Sequence, residues 1–253
     1  KGQFLDLSQS ASNTSIIGEA VLDYTVNGRV PERIGNRDLR WSPQGVYPCQ
    51  GNDKWIAISI TNEVEWVSLC RVMGSPSWCQ EDRFETLLSR RDNHDELDLL
   101  ISQWTRGQSH YELMHLLQTH SIPAGAVLSN KELLLDPHLL NRGFYQVMDH
   151  PKETNLPNLP YPSRPWVMSG SKAEVRHPAS TLGGDNRFVL AELLGWTENQ
   201  IQVLEEQEVI GYLPAGEPRP PMSIPLERLK DQGRVEGYDS NPREILGQVY
   251  DLK

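Results

Sequence analysis

Apolar positions along the chain fall into short periodic blocks separated by Gly-, Pro- and Asn-rich punctuation. Residues 6–27 read as one long helix, with Leu7, Ile16, Ile17, Val21, Leu22 and Val26 as candidate buried positions. Gly28 follows and suits a left-handed C-terminal cap. Residues 29–43 have no period and are broken by Pro31, Gly35 and Pro43, which predicts a connector. Two apolar runs, 46–48 and 55–60, flank Gln50-Gly51-Asn52-Asp53 and predict a β-hairpin. A helix over 63–73 ends at Gly74, and Asp92 or Asn93 can cap another that runs to Trp104 with Leu97, Leu100, Ile101 and Trp104 on one stripe. Ser109 and Glu112 have the spacing of a capping box, in which hydroxyl and carboxylate each satisfy an orphan backbone donor.

A strand over 124–128, brief helices opened by Ser129 or Asn130 and by Asp136-Pro137, and a strand over 144–148 complete an alternation of strands and helices. Residues 46–150 therefore predict a small α/β domain. Composition then shifts. Five prolines between Pro151 and Pro165 predict an extended crossing segment, residues 186–194 read as helical, and Thr197 with Gln200 opens a helix running to Val209. Five more prolines between Pro214 and Pro225 mark a Pro-rich extension, with one short helix over 226–230.

Composition adds limits. The chain has 253 residues, 38% hydrophobic and 23% charged, which suits a folded protein with some extended stretches. Lys and Arg number 24 against 34 Asp and Glu, a net charge of −10 that argues against nucleic-acid or anionic-membrane partners. Apolar runs such as residues 55–58 fall far short of the roughly 18 residues needed to span a bilayer. Cys49, Cys70 and Cys79 match neither a disulfide framework nor a zinc pattern and read as reduced cytosolic thiols filling space. The first residue is Lys1 rather than Met, so the chain reads as part of a longer product.

Candidate chemistry is sparse. His110, His115 and His120 are spaced by five, not by the four of a helical metal pair, and no metal site is expected. His94-Asp95-Glu96 reads as a solvated helix start. Gly183-Gly184 before a helix suits either an anion site or, better, a plain turn. Most informative is the connector, where Arg29, Arg33, Arg37 and Arg40 stand against Glu32 and Asp38. Guanidinium groups there suit phosphate or carboxylate on a ligand, or carboxylates of a neighbouring chain or domain.

Several blocks in order resemble a known family. Gly2-Gln3-Phe4-Leu5-Asp6-Leu7-Ser8 is similar to the G-Q-x-x-D-x-S that opens a long helix in class III CoA-transferases, which include formyl-CoA and carnitine CoA-transferases and count α-methylacyl-CoA racemase as a relative. Gly35-Asn36, Pro43-x-Gly45-Val46-Tyr47-x-Cys49-x-Gly51, Ile122-Pro123-Ala124-Gly125-x-Val127, Asp136-Pro137-His138-Leu139, Arg142-Gly143 and Leu182-Gly183 follow in the family's order. The resemblance covers residues 1 to about 211.

This resemblance implies an α/β fold: a small α/β domain plus C-terminal pieces of a Rossmann-like large domain, from a family of interlocked-ring dimers. The implied division is a large-domain helix over 1–28, a connector over 29–45, the small domain over 46–150, a return segment with large-domain helices over 151–211, and the extension over 212–253. It implies transfer of CoA between carboxylic acids through an aspartyl-CoA thioester, with coenzyme A entering as substrate thioester. The nucleophilic Asp of the family precedes the G-Q-x-x-D block, so no catalytic residue is assigned in this chain.

Asn36, Arg37, Arg40, Trp41, Ser42, Pro43 and Gln44 are the implied substrate-proximal loop. Leu39-Arg40-Trp41-Ser42 replaces a Gly-rich loop of formyl-CoA transferase and argues for a different acyl group. Partners implied are an acyl-CoA, a carboxylic acid, and a second copy or homologous subunit, in the cytoplasm. A non-catalytic scaffold subunit, a racemase and a CoA-dependent lyase remain open alternatives.

Overall fold

Residues 2–154, 156–171, 174–213 and 224–252 are described by a computed structural model. The Pro-rich stretch over 214–223 lies outside the described residues. The chain divides into two units, residues 1–128 and 129–253. The architecture is a mixture of helices and small antiparallel sheets.

The first unit opens with α1 (Gln9–Ile16) and α2 (Gly18–Asn27), where the sequence predicts one helix from residue 6. Three local features account for the break. Thr14 and Ser15 hydroxyls donate back to the carbonyls of Ser10 and Ser12 at 2.9 and 2.6 Å, a competition that bends helices. Ile17 then leaves helical geometry with ψ at 27°, and Gly18 follows as a weak helix former. Leu7, Ile16, Ile17, Val21, Leu22 and Val26 are exposed, not buried as their spacing suggests. Gly28 does take the left-handed cap, at φ 69°.

Beyond the connector, β1 (Gln44–Pro48), β2 (Trp55–Ser59) and β3 (Ala124–Val127) form one antiparallel sheet in that order. Pairing Gln44 with Ser59 and Tyr47 with Ile56 sends Tyr47, Ile56 and Ile58 to the buried face. Gly45 shares that face, and a Cβ there would lie 2.9 Å from the Tyr47 hydroxyl oxygen, so glycine makes room for the ring.

Against the sheet and one another pack α3 (Glu63–Val72), α4 (Asp82–Glu85), α5 (Leu87–Asp92), α6 (His94–Thr105) and α7 (His110–Thr119). Asn62 caps α3 by accepting from the Glu65 amide at 3.0 Å, and Thr86 with Ser89 forms a reciprocal box at α5. The Ser109 hydroxyl accepts from the Glu112 amide, one half of the box that its spacing suggests. On α6, Leu97 and Ile101 are fully buried, with Leu100 and Trp104 packed at the margin of the same core. Thr105 fastens the far end of that helix to the sheet by donating to the Pro48 carbonyl at 2.8 Å.

The second unit begins with α8 (Asn130–Leu135), capped by a full Ser129–Glu132 box, and α9 (Pro137–Asn141), capped by Asp136 with Pro137 in its first turn. The strand predicted over 144–148 forms as β4 (Tyr145–Met148) and pairs antiparallel with β5 (Leu159–Pro162), inside the stretch expected to be extended. Residues 188–193 are helical but wound as a π-helix, with the Leu194 amide reaching the Val189 carbonyl. α10 (Glu198–Glu206) carries the expected Thr197–Gln200 box, and α11 (Leu226–Asp231) follows. The last helix, α12 (Pro242–Tyr250), has a recognisable start in Asn241-Pro242, yet it falls in the region expected to be Pro-rich extension. Among the described residues no helix is long and apolar enough to cross a membrane.

The two faces of α6 make a direct comparison. Ile101→Ala is expected to cost about 2–5 kcal/mol of stability through cavity formation. Leu99→Ala, at a position 64% exposed, is expected to stay within about 0.5 kcal/mol of the parent. Denaturant titration of both variants checks this, and equal losses would contradict the assignment of the buried face.

Candidate functional site

The last part of the connector, residues 36–44, is held against α5 and α6 by two charged groups. The first is Arg90 on α5, whose side chain is 1% exposed. Its Nε donates to the Ser42 carbonyl at 3.0 Å, and its Nη1 donates to the Phe84 and Glu85 carbonyls at 3.2 Å each. Nη2 and Nη1 also donate to Glu63 at 2.7 and 3.1 Å, and the guanidinium carbon sits 4.8 Å from the Trp66 ring centroid. Only a planar, permanently charged fork can serve three carbonyls and a carboxylate at once while lying on an indole. Glu63 is 57% exposed, so solvent screens the ion pair and the buried carbonyl bonds carry the fastening.

The second group is Asp98 on α6. Its Oδ1 accepts from the Tyr47 hydroxyl at 2.9 Å, and its Oδ2 accepts from Arg37 Nη2 at 2.6 Å and Nε at 3.2 Å. Asp95 takes a further bond from Arg37 Nη2 at 2.6 Å. His94, one turn before Asp98, is buried rather than solvated as its acidic neighbours suggest. Its Nε2 accepts from the Gln44 amide at 3.4 Å and lies 3.5 Å from Asp98 Oδ1. Burial pushes the imidazole below its ordinary value of 6.5, against the opposing pull of Asp98. The neutral ring is therefore the form that receives the Gln44 N–H.

The candidate loop residues divide by exposure. Asn36 and Arg40 are exposed, Arg37, Trp41 and Gln44 half-buried, and Ser42 and Pro43 buried, with a cis peptide between the last two. Arg40 pairs within the loop, donating to Asp38 at 3.1 Å and lying over Trp41, and that pairing holds the Asp38 carboxyl below its usual range. Pro43 and Gln44 enter the sheet, where the Ile60 amide donates to the Pro43 carbonyl at 2.9 Å and Ser59 donates to the Gln44 side chain at 2.9 Å. Asn36, Gln44, Val46, Ala57 and Pro123 border an open depression of about 440 Å³ on this side of the sheet. Arg29, by contrast, turns back to Asp23 on α2.

Arg90 and Asp98 carry no expectation from the sequence, His94 is expected only in a solvated helix start, and Tyr47 enters only within a family block. Arg90 and Asp98 stand among other charged residues, and no local signal marks their partners. Gly183 adopts φ +70°, and a Cβ on it would meet the Gly211 carbonyl oxygen at 2.1 Å, so close backbone approach in a turn explains the glycine. Glu205 and Glu208 border the same hollow, which disfavours an anion there. Among the described residues no group of three His, Cys, Asp or Glu side chains is placed to hold a metal ion.

What this arrangement can do is present a fixed, arginine-bearing loop at one edge of a small sheet. The model of CoA-transferase family III matches residues 1–186, well over half of the sequence. The chain belongs to CoA-transferase family III. Within this family, it is 27% identical over 210 residues to the succinyl-CoA–D-citramalate CoA-transferase of Chloroflexus aurantiacus, covering 83% of this chain and 51% of that protein. It is 26% identical to the succinate–glutarate CoA-transferase of Agrobacterium fabrum, over 76% of this chain and 47% of that one. The family III chain thus spans about half the length of these relatives. Its fold is similar to that of a CAIB/BAIF family protein from Brucella suis, with a TM-score of 0.62 and 21% identity over 76% of this chain and 48% of that one.

The His94 contact carries a pH dependence with a definite sign. A histidine whose folded value lies below its unfolded 6.5 leaves the unfolded state binding more protons, so stability is held above that value and lost as pH falls through it. Urea midpoints measured between about pH 7.5 and about pH 5.5 should fall more steeply for the parent than for His94→Gln. Parallel pH profiles would contradict a buried, neutral His94.

Proposed function

We propose that this chain supplies the small domain, return segment and extension of a family III CoA-transferase that moves CoA between two carboxylic acids. In that reading residues 1–28 belong to the large domain, 29–45 connect, 46–150 form the small domain, 151–211 return and 212–253 extend. The observation that carries the proposal is the fastened loop over 36–44 in a chain whose family match runs from residue 1 to 186. A loop held by Arg90 and Asp98 is pre-organised, as a cover over a reactive centre must be.

The chemistry follows from the thioester. A carboxylate of the enzyme, an Asp in sequence preceding this chain, attacks the acyl carbonyl and expels CoA thiolate, leaving a mixed anhydride. The thiolate then attacks the aspartyl carbonyl and releases the donor acid, giving an aspartyl-CoA thioester. A second acid repeats the sequence in reverse. Water hydrolyses such anhydrides, so excluding it is the loop's first task. Arg40, 64% exposed, is available to a substrate carboxylate or CoA phosphate, while Arg37 is engaged by Asp95 and Asp98 and positions the loop. Citramalate, succinate and glutarate, named in the relatives, are dicarboxylic acids, and Arg40 suits the carboxylate that does not react. A cytoplasmic homodimer completes the reading.

One observation favours a second reading. The apolar faces of α1 and α2 are exposed, as they would be in a subunit built to pack on a catalytic sibling. One set of assays separates the two, using this chain alone and the chain joined to the sequence that precedes it, with paired acid and acyl-CoA and with a chiral 2-methylacyl-CoA. Transfer by the longer protein and none by the chain alone is the expected result. Turnover by the purified chain, or racemisation without transfer, would overturn the proposal. In the longer protein, Arg37→Ala combined with Arg40→Ala should raise the KM for acid or acyl-CoA about tenfold, equivalent to about 1.4 kcal/mol. Unchanged kinetics would remove the loop from the site.

A further inference from the structure

Two of the three cysteines meet in a turn that has no part in the proposed transfer. Cys70 lies in the last turns of α3. Gly74 at φ +83° and Ser75 at φ +53° then reverse the chain, and the Ser75 amide closes the reversal by donating to the Cys70 carbonyl at 2.8 Å. Pro76 leads into a single 3-10 turn over Ser77–Gln80, in which the Cys79 amide donates to the Pro76 carbonyl at 3.0 Å. The reversal sets Cys79 beside Cys70, so that the two thiols interact. Both side chains are half-buried at the margin of the core, neither sealed from solvent, and both are reduced.

We propose that Cys70 and Cys79 are a reversible redox pair that closes to an intramolecular disulfide when the protein meets a peroxide. Two thiols already in contact can be joined without the large backbone movement that a remote pair would require. Their interaction also divides their roles. The neighbouring Cys70 thiol favours the Cys79 thiolate and lowers its pKa, while Cys79, followed by burial, holds Cys70 in the thiol form. Cys79 is the attacking sulfur and Cys70 the resolving one. The positive charge of Arg90 favours the Cys70 thiolate when its turn comes. Cys49 is different: it is buried, and burial raises its pKa to about 11.

The steps balance as a two-electron oxidation. The Cys79 thiolate attacks one oxygen of hydrogen peroxide, the O–O bond breaks, and a sulfenic acid and hydroxide result. Cys70 gives up its proton to that hydroxide, which leaves as water. Its thiolate attacks the Cys79 sulfur, the S–S bond forms and the S–O bond breaks. The second hydroxide takes a proton from solvent and also leaves as water, the solvent proton having been released when Cys79 ionised. Two thiols and one peroxide become one disulfide and two waters, and an external dithiol reverses the change.

Peptide mapping tests the pair directly. The folded protein is titrated with hydrogen peroxide, the remaining thiols are alkylated, and the product is digested with trypsin. The expected species joins the peptides spanning residues 55–71 and 72–83, at about 2 Da below the sum of the two reduced peptides, with Cys49 recovered alkylated and the link undone by dithiothreitol. In Cys79→Ser the remaining Cys70 should stay a free thiol at the same dose, and in Cys70→Ser a sulfenic acid on Cys79 should be trapped by dimedone. Recovery of Cys70 and Cys79 as free thiols at doses that already oxidise methionine would overturn the proposal. So would over-oxidation of Cys79 without a link, or a link made to Cys49. The parent protein carries the test even if either variant folds poorly.

Discussion

A buried arginine organises the first unit of this protein. Removing a guanidinium from water costs several kcal/mol unless every donor finds an acceptor. Arg90 meets that condition with the carbonyls of Ser42, Phe84 and Glu85, the Glu63 carboxylate and the face of Trp66. These partners belong to the connector, the end of α4, the start of α3 and its buried face. One side chain therefore decides where three separate stretches of backbone meet. Ordinary apolar packing of Leu97, Ile101, Leu113 and Leu117 supplies the bulk of the core, but it is indifferent to the exact course of the connector. Directional bonds to carbonyl oxygens are not.

The second anchor depends on the first. With Ser42 held by Arg90, Pro43 and Gln44 enter β1 in register, which places the Gln44 amide at His94 and Tyr47 at Asp98. Asp98 can then take Arg37 from the other side. The result is a loop whose two ends are tied while Arg40 remains at the surface. In the proposed transfer, which passes through anhydrides, such a loop serves to cover the reacting centre.

Sequence legibility followed the range of the interactions. Caps and turns were readable because both partners lie within a few residues: the Ser129–Glu132 and Thr197–Gln200 boxes, the Gly28 cap and the hairpin over Gln50-Gly51-Asn52-Asp53 all form. The family blocks were readable for the same reason, being short and ordered. Arg90 was not, because its decisive partner lies 48 residues away and its neighbours Arg91 and Asp92 look like a solvated face. His94 misled in the same way, with Asp95 exposed beside it. Periodicity also overreached at residues 6–27, where Ser and Thr hydroxyls bonding back to the helix, together with Gly18, break a stripe that apolar spacing alone joins.

Hydrogen exchange on an Arg90→Met variant tests the central claim most directly. Methionine keeps much of the volume and removes the bonds to Ser42, Phe84 and Glu85. The amides of Ile60 and Gln44, which bond to the Pro43 carbonyl and to His94, should then exchange at least about tenfold faster, while amides within α7 keep their protection. Equal protection of Ile60 and Gln44 in parent and variant would show that the connector is placed by something other than Arg90.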